Sequence, residues 1–183
     1  MPNLLLDGVM TTIPAESAMA YIGLGSNIDP EHNLTQALQL LAERLHLVSV
    51  SPVYVTPPWG YAPQADFLNA VLCVATDLLP LNLLDLLLET ELACGRERTI
   101  PNGPRTLDLD LLLVGENVMD TPRLTLPHPR LHERGFVLVP LCDLAPALTH
   151  PITGLSVIQM AAALPMSETV DIRPSPFQLS LTD

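Results

Sequence analysis

The chain has 183 residues, 48% of them hydrophobic, which suits one domain with a real core and excludes a disordered chain. Its formal net charge of −12 argues against nucleic acid or an anionic membrane as a partner. There is no lysine, and six of the eight arginines (Arg96, Arg98, Arg105, Arg123, Arg130 and Arg134) fall between positions 96 and 134.

Residues 1–18 read as a loose leader, without the positive residues and long apolar core of a signal peptide. "AMAYIGLGSN" (18–27) reads as a strand ending in a Gly-rich turn. Its "GLGSN" lacks the third glycine of a dinucleotide fingerprint and the GK[ST] of a phosphate loop, so a tight turn is the favoured reading. Asp29 or Asn27 then caps a helix over 31–45, with Leu34, Ala37, Leu38 and Leu41 on one face. "LVSVSPVYVTPP" (47–58) alternates as an antiparallel strand until the prolines stop it, and 66–77 forms a second strand. Between them, "TPPWGYAPQADFLN" carries Trp59, Tyr61, Phe67 and Asn69. These rings and the amide suit a clamp on a flat heterocycle, or simply loop and core packing.

Residues 80–94 predict a helix, with Asn82, Asp85 and Glu89 opposite Leu84, Leu87 and Leu88. Glu91 falls in the middle of the apolar face and calls for an arginine or a polar site nearby. The same acids and Asn82 interrupt the leucine run from 78 to 92, which stays short of the ~18 residues that span a bilayer. "GRERTIPNGPR" (95–105) reads as an irregular, mobile loop.

Residues 106–114 read as a strand that places Asp108 and Asp110 on one face, roughly 7 Å apart. In the bland reading they face solvent on an edge strand. In the functional reading they hold a hard cation such as Mg²⁺, with Arg105 alongside to meet phosphate oxygens. After a turn, a short strand near 117–119 precedes "LPHPRLHERGFVLVPLCDLAP", with a helix from about Leu131 to Leu141. His128 and His132 have the spacing of a zinc helix, but Pro127 and Pro129 forbid one, leaving His128 as a phosphate ligand or a capped turn residue. Cys73, Cys94 and Cys142 read as ordinary buried thiols. Residues 166–183, with Pro174 and Pro176, read as a tail. Mixed helices and strands predict an α+β sandwich on one main sheet.

"YIGLGSN", "YVTPPWG…DFLNAV", "ETELACGRER", "GPRTLDLDLLL" and "LPHPRLHERGFVLVPL" occur in an order and spacing that resemble the 6-hydroxymethyl-7,8-dihydropterin pyrophosphokinases of folate biosynthesis. The resemblance runs from about residue 20 to about 160. It implies a ferredoxin-like α/β/α fold around a mostly antiparallel sheet, with one pyrophosphokinase domain over 19–165. It implies a cytoplasmic, monomeric ATP-dependent diphosphotransferase that acts on small molecules and releases AMP. Asp108 and Asp110 would hold two Mg²⁺ ions. Arg96, Arg98 and Arg105 would close onto the triphosphate, joined by His128 and Arg134, while Glu91 sits at a family position in the site. Leu111, Arg123, Leu124 and Thr125 would line adenine and ribose. Phe67 and Phe136 would sandwich the pterin, with Thr56, Pro57 and Asn69 at its polar edge and Trp59 on the same side. The chain departs from some members at Leu88 (a glutamine there), Asn102 (a tryptophan), Phe67 (a tyrosine) and in a loop 96–105 that is one residue shorter. A metal-dependent phosphohydrolase, a nucleotide-binding module without turnover, and a degenerate family member retained for stability or interaction are the competing readings of the same residues, and the intact acids and arginines argue against the last.

Overall fold

Side-chain alternation sorts the first strand, β1 (Ala18–Ser26), into two faces: Ala20, Ile22 and Leu24 are buried on one side, with Tyr21, Gly23 and Gly25 on the other. The computed structural model describes residues 17–58, 63–96 and 103–181. The expectations for Trp59, Gly60, Tyr61, Arg98 and Asn102, and for nearly all of the leader, lie outside the described residues.

β1 lies between β4 (Phe67–Thr76) and β5 (Asp108–Val114), antiparallel to both. On the far side of β4 stand β2 (His46–Val50) and β3 (Tyr54–Thr56), and β8 (Arg173–Pro174) closes the sheet beyond β3. A second, two-stranded ladder pairs β6 (Met119–Asp120) with β7 (Thr125–Leu126).

Helices cover both faces. α1 (Pro30–Ala42) and α2 (Pro80–Ala93) bury Leu34, Leu38, Leu41, Leu83 and Leu87 against Ile22, Leu24 and Leu72. α3 (Gly135–Leu144) and α4 (Val157–Ala162) bury Val137, Leu138, Leu141 and Met160 against Val71, Leu112 and Leu113. The result is an α+β sandwich of the ferredoxin-like kind, as expected. No helix among the described residues is long and apolar enough to cross a membrane.

Several local expectations are corrected. Residues 23–26 continue β1 instead of turning. The single strand expected over 47–58 is two strands, because Pro52 offers no N–H. The Ser51 hydroxyl keeps the ladder closed there, accepting from the Val71 N–H at 2.9 Å. α1 ends three residues before position 45, where the Arg44 and Leu45 amides both turn back to the Leu41 carbonyl. The buried face of α2 is centred on Leu83, Leu86 and Leu87, one residue from the expected one, and leaves Leu84 and Leu88 half-buried.

The strand expected from 106 begins at Asp108, and the one expected near 117–119 is β6. The helix expected from Leu131 is a single 3₁₀ turn (Leu131–Glu133), after which Arg134 is extended and α3 begins. The cysteines are free thiols, and Cys142, unlike Cys73 and Cys94, is only half-buried. The segment read as a tail supplies β8 and buries Leu179 in the core.

Candidate active site

The two acids of β5 stand over bare backbone. Asp108 is paired with Gly25 and Asp110 with Gly23, so both cross-strand neighbours lack a side chain. A Cβ built on Gly25 would come 3.8 Å from the Asp108 Cβ and only 2.9 Å from the Asn69 Oδ1. Alanine there would push on the amide. The glycines assigned to a turn therefore open the floor of the site. The repeat of glycine at i and i+2 facing aspartate at i and i+2 was the signal that could have shown it.

β5 is also the edge of the sheet, so some of its backbone N–H groups have no strand partner. Buried Glu91 supplies one: its Oε1 accepts from the Leu109 N–H, between the two acids, at 2.8 Å. A β-bulge at Leu112 breaks the register with β1, and its carbonyl accepts from the His128 N–H at 2.9 Å. The outer rim of the edge strand thus fixes one acid from α2 and one histidine from the following loop.

Charge is arranged around Asp108. Arg96 bonds Glu91 and reaches Asp108 Oδ1 at 2.7 Å, while Arg105 pairs with the other oxygen, Oδ2. Arg96 gets there because Gly95, two residues past the end of α2, turns the chain with a φ of +71°, and the Arg96 N–H returns to the Glu91 carbonyl at 3.0 Å. Asp110 has a looser partner, Arg134 Nη1 at 3.6 Å. Burial, and then the charge of Asp108, push the Asp110 carboxyl above the ordinary carboxylate range. Burial lowers His128 against the pull of Asp110, and its Nδ1 accepts from the Arg130 N–H at 3.2 Å, the capped-turn role.

A pocket of about 560 Å³, open to solvent, adjoins this cluster. Phe67 and Phe136 are among its walls, with Thr56, Pro57, Asn69, Gly25, Arg105, Asp108 and Arg134. Asn69 donates to the Thr56 hydroxyl at 2.7 Å, so its Oδ1 is left to face Gly25 and the pocket. The Arg134 guanidinium lies 5.4 Å from the centre of the Phe136 ring.

Asn27, which sequence reasoning offered only as a helix cap, ties both flanking loops together instead. Its Oδ1 accepts from the Arg105 N–H at 2.7 Å, and its Nδ2 donates to the Gln64 side chain and the Ala65 carbonyl, each at 3.0 Å. Nothing in the sequence marked that role. Among the described residues, Glu91, Arg96, Asp110 and His128 adjoin the pocket without lining it, and the four residues expected at adenine and ribose are not in its lining either. Leu111 and Leu124 lie in the hydrophobic core, Thr125 sits in β7, and Arg123 pairs with Asp85 at the surface.

Two carboxylates fit a hard dication, which keeps sites for water and phosphate oxygens, and the repulsion between Asp108 and Asp110 is what such an ion would relieve. No group of three or more potential ligands occurs among the described residues, so water and phosphate oxygens would complete the shell.

A sandwich that gathers arginines and paired acids at the end of an aromatic pocket defines an enzyme class that handles small phosphorylated substrates. Residues 21–146 match the model of the 7,8-dihydro-6-hydroxymethylpterin-pyrophosphokinase family. The chain is 48% identical over 149 residues to the 2-amino-4-hydroxy-6-hydroxymethyldihydropteridine pyrophosphokinase of Pseudomonas aeruginosa, covering 79% of this chain and 91% of that one. It is 43% identical to the Bacillus subtilis enzyme of the same name, with 74% and 83% covered. Among solved structures, Plasmodium falciparum HPPK-DHPS with pteroate superposes with a TM-score of 0.67 at 14% identity, covering 80% of this chain and 42% of that one. That likeness concerns the fold, and the chain spans less than half of the Plasmodium protein. The chain belongs to the 7,8-dihydro-6-hydroxymethylpterin-pyrophosphokinase family.

Proposed function

We propose that this protein transfers the terminal diphosphate of ATP to the hydroxymethyl group of 6-hydroxymethyl-7,8-dihydropterin and releases AMP, a step of folate biosynthesis. The observation that carries the reading is Asp108, shared by Arg96 and Arg105 at the mouth of a pocket walled by Phe67 and Phe136. A phosphate-handling cluster and a slot for a flat ring meet at one side chain. In this reading residues 19–165 are the catalytic domain, working as a cytoplasmic monomer.

The pterin enters between Phe67 and Phe136 and presents its amide-like edge to Asn69 and Thr56. Asp108 and Asp110 would hold magnesium, two ions by the family resemblance, which would supply charge neutralisation at the phosphates and a lowered pKa for the attacking hydroxyl. Arg96 and Arg105 exchange Asp108 for the triphosphate, and Arg134 offers a third guanidinium from the opposite wall. The hydroxyl oxygen bonds to the β-phosphorus as the bond from that phosphorus to the α,β-bridging oxygen breaks, and AMP leaves with that oxygen. Asp108, on the pocket wall, is the candidate acceptor of the hydroxyl proton. Glu91 holds Arg96 and the metal-bearing strand in register.

The test is a product assay by mass with Mg-ATP, with and without the pterin. AMP and a pterin diphosphate that form only with pterin are expected, and Asp108→Ala should abolish both. ADP or free phosphate would point to a kinase or hydrolase and remove this reading.

A further inference from the structure

Beyond residue 146, where the match to the family model stops, the chain returns to the pocket. Residues 166–179 touch the supports of both of its walls. On the Phe136 side, α3 starts with Gly135, and a Cβ built there would lie 2.0 Å from the Glu168 carbonyl oxygen and 3.0 Å from the Ile172 Cδ1. The first turn of α3, which follows Arg134 and contains Phe136, is therefore seated on the backbone of this segment.

On the Phe67 side, Arg173 and Pro174 pair with Val55 and Tyr54 of β3, the strand that leads into Thr56 and Pro57. Arg173 also reaches Asp66, next to Phe67, at 3.1 Å. Two bonds to Val53 anchor the far end: the Ser175 N–H donates to its carbonyl at 2.8 Å, and its N–H donates to the Gln178 Oε1 at 3.0 Å. Buried Leu179 then enters the core on the opposite face of the sheet.

Resting on the function proposed above, we infer that residues 166–179 form a strap that positions the two aromatic walls and so sets affinity for the pterin, with a smaller effect on the nucleotide, which it reaches through Arg134 alone. Arg96 and Arg105 hang on α2, Gly95, Asn27 and the edge of β5, none of which the strap pairs with, and among the described residues Arg134 is the one phosphate-side group beside the helix start that it seats. A change in wall spacing therefore registers chiefly on the pterin. Misplacement of a positioning element by about 1 Å is enough to lower turnover by orders of magnitude.

The experiment compares the full chain, a chain ending at Pro165, and the full-length surface variant Arg173→Glu, which sets a carboxylate against Asp66. Pterin KM, kcat and the affinity for a fluorescent Mg-nucleotide are measured for each. The shortened chain should raise pterin KM about tenfold or more while nucleotide affinity stays within about twofold, and peptide 166–183 added in trans should restore KM. Arg173→Glu should move KM the same way by a smaller factor, and decides the matter alone if the shortened chain does not fold. An unchanged pterin KM in a folded variant, or an equal loss of both affinities, overturns the strap. A full-length chain that makes no AMP in response to pterin overturns the function and the strap's substrate together.

Discussion

Asp110 and Asp108 differ in what surrounds them, although the sequence repeats the same letter. Asp108 has a guanidinium on each oxygen, whereas Asp110, the more exposed of the two side chains, stands beside a like charge with Arg134 at 3.6 Å. Its carboxyl pKa is raised, so its contribution to stability is full at low pH, where both folded and unfolded forms are protonated, and is lost as pH rises through the folded value. At neutral pH its charge thus costs some stability, screened in part by solvent because 36% of the side chain is exposed. Asp110→Asn should raise the melting temperature at pH 7–8, by about 2–4 °C for each kcal/mol relieved, and should abolish turnover. The gain should shrink as pH falls; a gain that does not depend on pH, or a loss, would remove this account. The sequence made both acids visible through spacing alone. It could not show their unequal surroundings, because these depend on residues 3 to 24 positions away that only the fold brings in.

At the scale of elements, the legible parts were those with strong period: the apolar face of α1, the continuous burial of β4, and the alternation of β1. What escaped were boundaries that a single side chain decides. Ser51 is the plainest case, since its hydroxyl stands in for a backbone partner between β2 and β3 while its own N–H bonds the Val71 carbonyl at 2.9 Å. Ser51→Ala would leave the buried Val71 N–H without its acceptor, a loss of about 1–3 kcal/mol. Urea unfolding should show the drop in midpoint with an unchanged slope; a neutral substitution would mean that the ladder closes without the hydroxyl. Glu91 belongs to the same group. Its place on an apolar helix face was readable, but its service to the open edge of β5 was not, because edge position is a property of strand order.

For the whole molecule, charge is divided by place. Acids outside the 96–134 window carry the net −12, while the window itself holds six arginines and six acids. Within it, Asp108 is neutralised by the chain's own Arg96 and Arg105. Folding and loading are consequently separate events. A chelator should leave the melting temperature where it was, in contrast to zinc-dependent domains that unfold when stripped. Mg-nucleotide should raise stability by about 2.7 kcal/mol at a hundredfold excess over its Kd. Unfolding by the chelator alone would contradict this. In a cell short of magnesium, such a protein would wait intact as a dormant stock, and resupply would restart it without new synthesis.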